Sequence, residues 1–134
     1  MNYHQIRNHK EAKVSKLIKE CQMFFAFSDE QLAKGMKENP LTPGDKYASF
    51  GSGVYLPKSN VEKYQKGSQE IDRWKRAIIE ENNMHDEVIR YELANHEAFY
   101  TGEIEDTYHA LECEYTKEKI WDVYNLNYEK YSDF

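Results

Sequence analysis

Lys46-Tyr47-Ala48-Ser49-Phe50-Gly51-Ser52-Gly53-Val54-Tyr55-Leu56 is the stretch that decides the fold class of this chain. Two short runs rich in aromatic and apolar residues flank a glycine-containing triplet, the pattern of a strand, a turn or bulge, and a second strand. Just upstream, Met23-Phe24-Phe25-Ala26-Phe27 is a compact apolar run that reads as a further, buried strand. Around these segments the periodicity is helical. The expected fold class is therefore α+β: a mostly helical single domain, residues 1–134, with four or more helices packed around a small two- or three-stranded antiparallel sheet.

Outward from the hairpin, the helix boundaries are marked by capping residues. Asn2 precedes a helix to residue 20 with Ile6, Val14, Leu17 and Ile18 broadly on one side. Ser28 with Gln31, and Ser59 with Glu62, each have the spacing of a capping box. The first predicts a helix to about Glu38, and the second a long one to about Asn82 that aligns Val61, Tyr64, Ile71, Trp74 and Ile78. Between them, Asn39-Pro40-Leu41-Thr42-Pro43-Gly44-Asp45 is a loop. A helix is expected over Met84–Phe99, broken at Thr101-Gly102, and a short one over Glu105–Leu111. Thr116 caps the last, with Ile120, Trp121, Tyr124, Tyr128 and Tyr131 on one face.

With 134 residues, two independent cores would each sit near the lower limit for unaided stability, which favours one domain. No run approaches the ~20 apolar residues that span a bilayer, and the first ten residues lack a signal-peptide core. Cys21 and Cys113 are far apart and form no Cys-x-x-Cys pattern, so both read as free thiols in a reducing compartment. The expected location is the cytoplasm, with no membrane partner.

Charge is uneven along the chain. The net charge is −6, yet residues 1–20 carry +3 and residues 81–134 carry fourteen acidic groups against four basic, −10. Such asymmetry marks either a partner-binding surface or internal complementarity between the basic first helix and the acidic third. The basic residues Arg7, Lys10, Lys13, Lys16 and Lys19 spiral round their helix instead of holding one face, and only Tyr3 is interleaved. Direct nucleic-acid binding is disfavoured on that ground and by the overall acidity.

Motif tests return little chemistry. Gly51-Ser52-Gly53 lacks the spacing of a nucleophile elbow, and Gly44-Asp45-Lys46 lacks that of a phosphate loop. Those glycines serve backbone conformation. On the wheel of the Met84–Phe99 helix, Asp86, Glu87, Arg90 and Glu97 gather on one side, which should face water. Glu92, Asn95 and His96 fall inside the opposite, apolar arc. Glu92 and His96 are four apart and so adjacent on the helix surface. A carboxylate and an imidazole in that setting suit an acid/base pair or two metal ligands, with Asn95 beside them as a weaker catalytic candidate and His85 or His109 as further ligands. The plainer reading is a structural network in which Glu92 accepts from His96, a Tyr hydroxyl, Arg73 or Arg76. No cofactor is expected.

Three blocks resemble a family of small proteins found in bacteria and in their phages and plasmids, with no assigned function. They are Phe25-Ala26-Phe27-Ser28-Asp29-Glu30-Gln31; Ser49-Phe50-Gly51-Ser52-Gly53-Val54-Tyr55 with Pro57-Lys58; and Tyr91-Glu92-Leu93-Ala94-Asn95-His96-Glu97, continuing through Tyr100-Thr101-Gly102 to Asp106-Thr107 and Ala110-Leu111. The resemblance implies a single-domain protein in a mobile-element setting, and it brings no catalytic residues with it.

The leading expectation is a non-enzymatic accessory protein that binds a protein partner. In one version it is an acidic mimic of nucleic acid that inhibits a basic host defence protein. The partner-facing residues are expected to be Glu103, Glu105, Glu112 and Glu114, bordered by Tyr124, Tyr128 or Tyr131. The alternative is a small hydrolase or metal-dependent enzyme using Glu92 and His96.

Overall fold

A computed structural model describes residues 1–112 and 114–132, the side chains of 129–132 excepted. Cys113 and the side chain of Tyr131 thus lie outside the described residues. Among those described are three strands and seven α-helices: α1 Tyr3–Glu20, β1 Phe24–Phe25, α2 Asp29–Glu38, β2 Tyr47–Gly51, β3 Val54–Pro57, α3 Val61–Glu81, α4 His85–Asn95, α5 Ala98–Thr101, α6 Glu105–Ala110 and α7 Lys117–Ser132. The class is α+β and mostly helical, with a three-stranded antiparallel sheet. Contacts gather the chain into two compact units, Met1–Ala77 and Ile78–Phe134.

In the first unit, α1 opens on a reciprocal cap. The Gln5 N–H donates to Asn2 Oδ1 at 2.8 Å and the Asn2 N–H to Gln5 Oε1 at 2.9 Å. It closes where Gln22 turns left-handed, φ 54, and the Met23 N–H donates back to the Ile18 carbonyl at 3.0 Å. The sheet order is β1-β3-β2. Ser52 and Gly53, both at positive φ, form the two-residue turn between β2 and β3, the turn type whose twist suits a hairpin. Gly51, at φ 82, takes up the register shift between Ser49 and Gly51.

The two faces of the sheet are covered differently. On one, Phe24 stacks on Tyr55 and meets Tyr47 edge-on, each at 5.7 Å between centroids. A Cβ on Gly35 of α2 would lie 2.2 Å from that Phe24 ring, so α2 rests on the sheet only because residue 35 has no side chain. On the other face Leu56 is buried with Met23, Leu17 and Cys21 from the α1 side and Ile71 from α3. Val14, Ile18, Ala48, Val54, Val61 and Tyr64 surround that core. Cys21 is a buried free thiol, and burial pushes its pKa up; nearby Lys63 opposes the shift and Glu20 adds to it.

Two expectations for this unit are corrected. Ser59 does not cap a helix: its hydroxyl donates to Asp45 Oδ2 at 2.5 Å, residues 58–60 form a single 3₁₀ turn, and α3 starts at Val61. The aromatic run is not buried throughout either. Met23, Phe24 and Ala26 are buried, but Phe25 and Phe27 are 53 and 76 % exposed.

The second unit holds the end of α3 and helices α4–α7. Asn83, left-handed at φ 50, ends α3, with the Met84 N–H on the Ile79 carbonyl at 2.9 Å. The helix expected over Met84–Phe99 is two. After Asn95 the chain turns at Glu97, φ 56, whose carbonyl accepts from the Tyr100 and Thr101 N–H groups to start α5. Thr116 caps α7 as expected, accepting from the Lys119 N–H at 3.1 Å. Val88, Ile89 and Leu93 of α4, Phe99 of α5, and Ile120 and Val123 of α7 supply the apolar interior. Thr107 of α6, fully buried, donates to the Glu92 carbonyl at 3.4 Å.

Candidate functional site

The Glu92/His96 pair forms where the helix geometry puts it. His96 Nε2 lies 3.3 Å from Glu92 Oε2 across one turn at the end of α4, with side chains 30 and 16 % exposed. Asn95 departs from expectation: it is exposed, because α4 ends there and the chain turns away at Glu97. Arg90 and Glu87, expected on a water-facing side, are half-buried. The wheel of a continuous helix therefore misplaces Asn95 at the true end of α4, whereas Glu87 and Arg90 lie a turn or more before that end.

The other two histidines of the unit do not join that pair. His109 Nε2 stands 4.0 Å from Glu105. His85 bridges two groups instead: its Nε2 is 2.6 Å from Glu80 Oε2 and its Nδ1 is 2.7 Å from the Tyr115 hydroxyl. Three imidazoles thus face three different carboxylates. Among the described residues no three His, Cys, Asp or Glu side chains converge as metal ligands.

The donor order of the His85 bridge follows from the ring's tautomer. An ionised Glu80 only accepts, so Nε2–H donates to it; in the neutral ring Nδ1 then accepts, and the Tyr115 hydroxyl donates. Burial pushes the Tyr115 phenol above its usual range, aided by the carboxylates of Glu114, Glu80 and Asp86. The phenol thus holds its proton more tightly than an exposed tyrosine does.

Glu103, Glu105, Glu112 and Glu114 are all exposed. Glu105 accepts from Lys117 Nζ at 3.0 Å, and Lys119 Nζ pairs with Asp86 at 2.8 Å, so carboxylates of the unit engage both lysines at the start of α7. Tyr124 and Tyr128 of α7 stand in an aromatic row. Tyr124 stacks on Phe99 at 5.3 Å and contacts Trp121 at 5.0 Å and Tyr128 at 5.6 Å. Tyr124 is itself buried, while Trp121 and Tyr128 reach solvent. It belongs to the interior and backs the two rings that are exposed.

A family model described as a family of unknown function, DUF7659, matches residues 3–130. The chain belongs to that family. Neither the curated proteins nor the solved structures yield a match.

In this DUF7659 chain, two side-chain contacts of the second unit had no signal in the sequence. Glu80, His85 and Tyr115 are spaced five and thirty residues apart, and the first gap spans the break at Asn83, so no helical rule connects them. Thr107 lies within the third resembling block, but nothing in its neighbours announced that it would be buried. No helix among the described residues of this DUF7659 member is long and apolar enough to cross a membrane.

Proposed function

We propose that this protein is a small non-enzymatic accessory protein of a phage or other mobile element, acting in the cytoplasm by binding a basic protein through residues 78–134. One observation carries this reading: the charge changes sign at the unit boundary. Residues 1–77 hold fourteen basic and nine acidic groups, +5, whereas residues 78–134 hold four basic and fifteen acidic, −11. A compact unit of that sign competes with phosphate for the same lysines and arginines on a nucleic-acid-binding partner, and its field speeds encounter with such a surface. Glu103, Glu105, Glu112 and Glu114 supply exposed charge, and Trp121 and Tyr128, backed by Tyr124, supply exposed apolar surface in the same unit. The mobile-element setting rests on the resemblance of the three sequence blocks.

The experiment is capture by the full chain from a bacterial lysate at low and moderate salt, with the Glu103→Gln, Glu105→Gln, Glu112→Gln, Glu114→Gln quadruple variant alongside. The expected result is a retained basic protein released by salt, because exposed charges are screened beyond about 8 Å at physiological ionic strength. The variant should retain less of it, through slower association. Retention indifferent to both salt and the four substitutions sinks the reading.

A further inference from the structure

The sheet face that packs on α1 and α3 runs out from under those helices at the hairpin end. Along the first chain segment, Met23 is buried in the core, Phe25 is 53 % exposed, and Phe27 is 76 % exposed. Met23 and Phe25, two apart along extended chain, share a face, and Phe27, past the end of β1, reaches the hairpin end by laying its ring against Gly53. The hairpin repeats the pattern: Leu56 is fully buried, Val54 is partly covered, and Phe50 stands 46 % exposed, with its ring 5.7 Å from that of Tyr64. The register joins the two series, because Val54 is paired with Phe25 on one side and Gly51 on the other. Phe25 and Phe50 therefore flank Val54 at the uncovered end of the sheet, with the Phe27 ring beside them against Gly53.

Phe27 is held in place despite its exposure. The preceding residue is tied by the Ala26 N–H on the Gly53 carbonyl at 2.8 Å, and the Phe27 N–H is held by Gln31 Oε1 at 2.8 Å. Its ring lies against Gly53, 2.7 Å from where a Cβ would stand. An aromatic ring ordered in advance loses little freedom on binding, which is the property of an interface anchor.

We propose that Phe25, Phe27 and Phe50 are an anchor that seats in an apolar pocket of a partner protein, with Phe27 as the inserted ring and basic groups on the pocket rim. This surface is built wholly from residues of the first unit, 1–77. The charge beside the patch sets the occupant: in a two-fold contact between copies, the exposed Asp29 and Glu30 would meet like charge, which opposes a second copy. The same charge sets the rim: Asp29 and Glu30, both exposed, follow Phe27 directly at the start of α2. Carboxylates there oppose approach to an anionic lipid surface and suit a basic rim.

The test places a photo-crosslinking benzophenone side chain at residue 50 of the full chain, expressed in a native bacterial host. A single heavier adduct is expected, mapping to apolar residues of another protein with Lys or Arg adjacent. It should disappear with Phe27→Ser and persist in the Glu103, Glu105, Glu112, Glu114 quadruple Gln variant, which separates it from binding through the acidic unit. Phe27→Ser should melt within about 2 °C of the parent, as surface substitutions do. A larger fall would mean that the ring holds the hairpin together, and would overturn the proposal. So would an adduct of the chain with itself, an adduct independent of Phe27, the absence of any adduct, or Phe27-dependent sedimentation with phosphatidylglycerol–phosphatidylethanolamine vesicles.

Discussion

His85 Nδ1 lies 2.7 Å from the Tyr115 hydroxyl, joining the first residue of α4 to the segment that precedes α7. Burial, with the carboxylates of Glu114, Glu80 and Asp86, makes Tyr115 keep its proton more tightly in the folded chain than in the unfolded one. The stability that this adds is fully present below the ordinary phenol range, near pH 10, and is lost as pH rises through the higher folded value. Tyr115→Phe should cost about 0.5–1.5 kcal/mol at pH 7. Its deficit against the parent should narrow above pH ~10. Denaturant titrations at the two pH values check both.

The opposite sign applies to Asp45. Its carboxylate accepts from the Ser59 hydroxyl and from the Lys46 and Ser59 N–H groups, which holds its pKa below the usual range. The contribution is present above the unfolded value, near pH 4, and is lost as pH falls through the lower folded one. Asp45→Asn and Ser59→Ala should each lower the melting temperature at neutral pH. The difference from the parent should close as the solution is taken below pH ~4, which thermal melts across an acid series would show.

Glu92 and His96 are partly exposed, so their coupling should be that of a helical pair and not of a buried charge. A double-mutant cycle with Glu92→Gln and His96→Ala is expected to give about 0.5 kcal/mol. Loss of a partner-binding or catalytic readout without loss of stability would instead mark the pair as a site.

The Cys21 thiol reports on opening of the first unit. It is buried, and burial disfavours the reactive thiolate. In a Cys113→Ser background, maleimide labelling at neutral pH should be orders of magnitude slower than for the unfolded chain. It should accelerate with denaturant in step with unfolding. Fast labelling under native conditions would mean that the α1 end of the core opens locally.

Much of the fold could be read from short-range chemistry. Asn2, Ser28 and Thr116 cap as expected, because the N–H groups they accept from lie within one turn, although Gln31 returns its hydrogen bond to the Phe27 N–H and not to Ser28. Gly51-Ser52-Gly53 likewise forms the hairpin connection that its composition predicts. Ser59 misled for the complementary reason: an equally good partner, Asp45, comes from fourteen residues upstream, and spacing cannot see it. The helix break at Glu97 carries no Gly or Pro, so nothing marked the end that leaves Asn95 exposed. The exposure of Phe25 and Phe27 depends on how far α1 and α3 reach over the sheet, which is a tertiary fact. Of the candidate site, the Glu92–His96 contact could be read from a four-residue period, whereas the His85 bridge, built across a chain reversal, could not.

Phe24 and Gly35 share one volume, since the ring occupies the space that a Cβ at residue 35 would need. Ala at 35 would gain roughly 1 kcal/mol of helix propensity. Overpacking against a rigid buried ring costs about 1–3 kcal/mol. The two positions are therefore not free to drift independently: a family member with any side chain at 35 must carry something smaller than Phe at 24. Across enough diverged DUF7659 sequences this should surface as a covarying pair, and the pair would locate the α2–β1 seam from alignments alone.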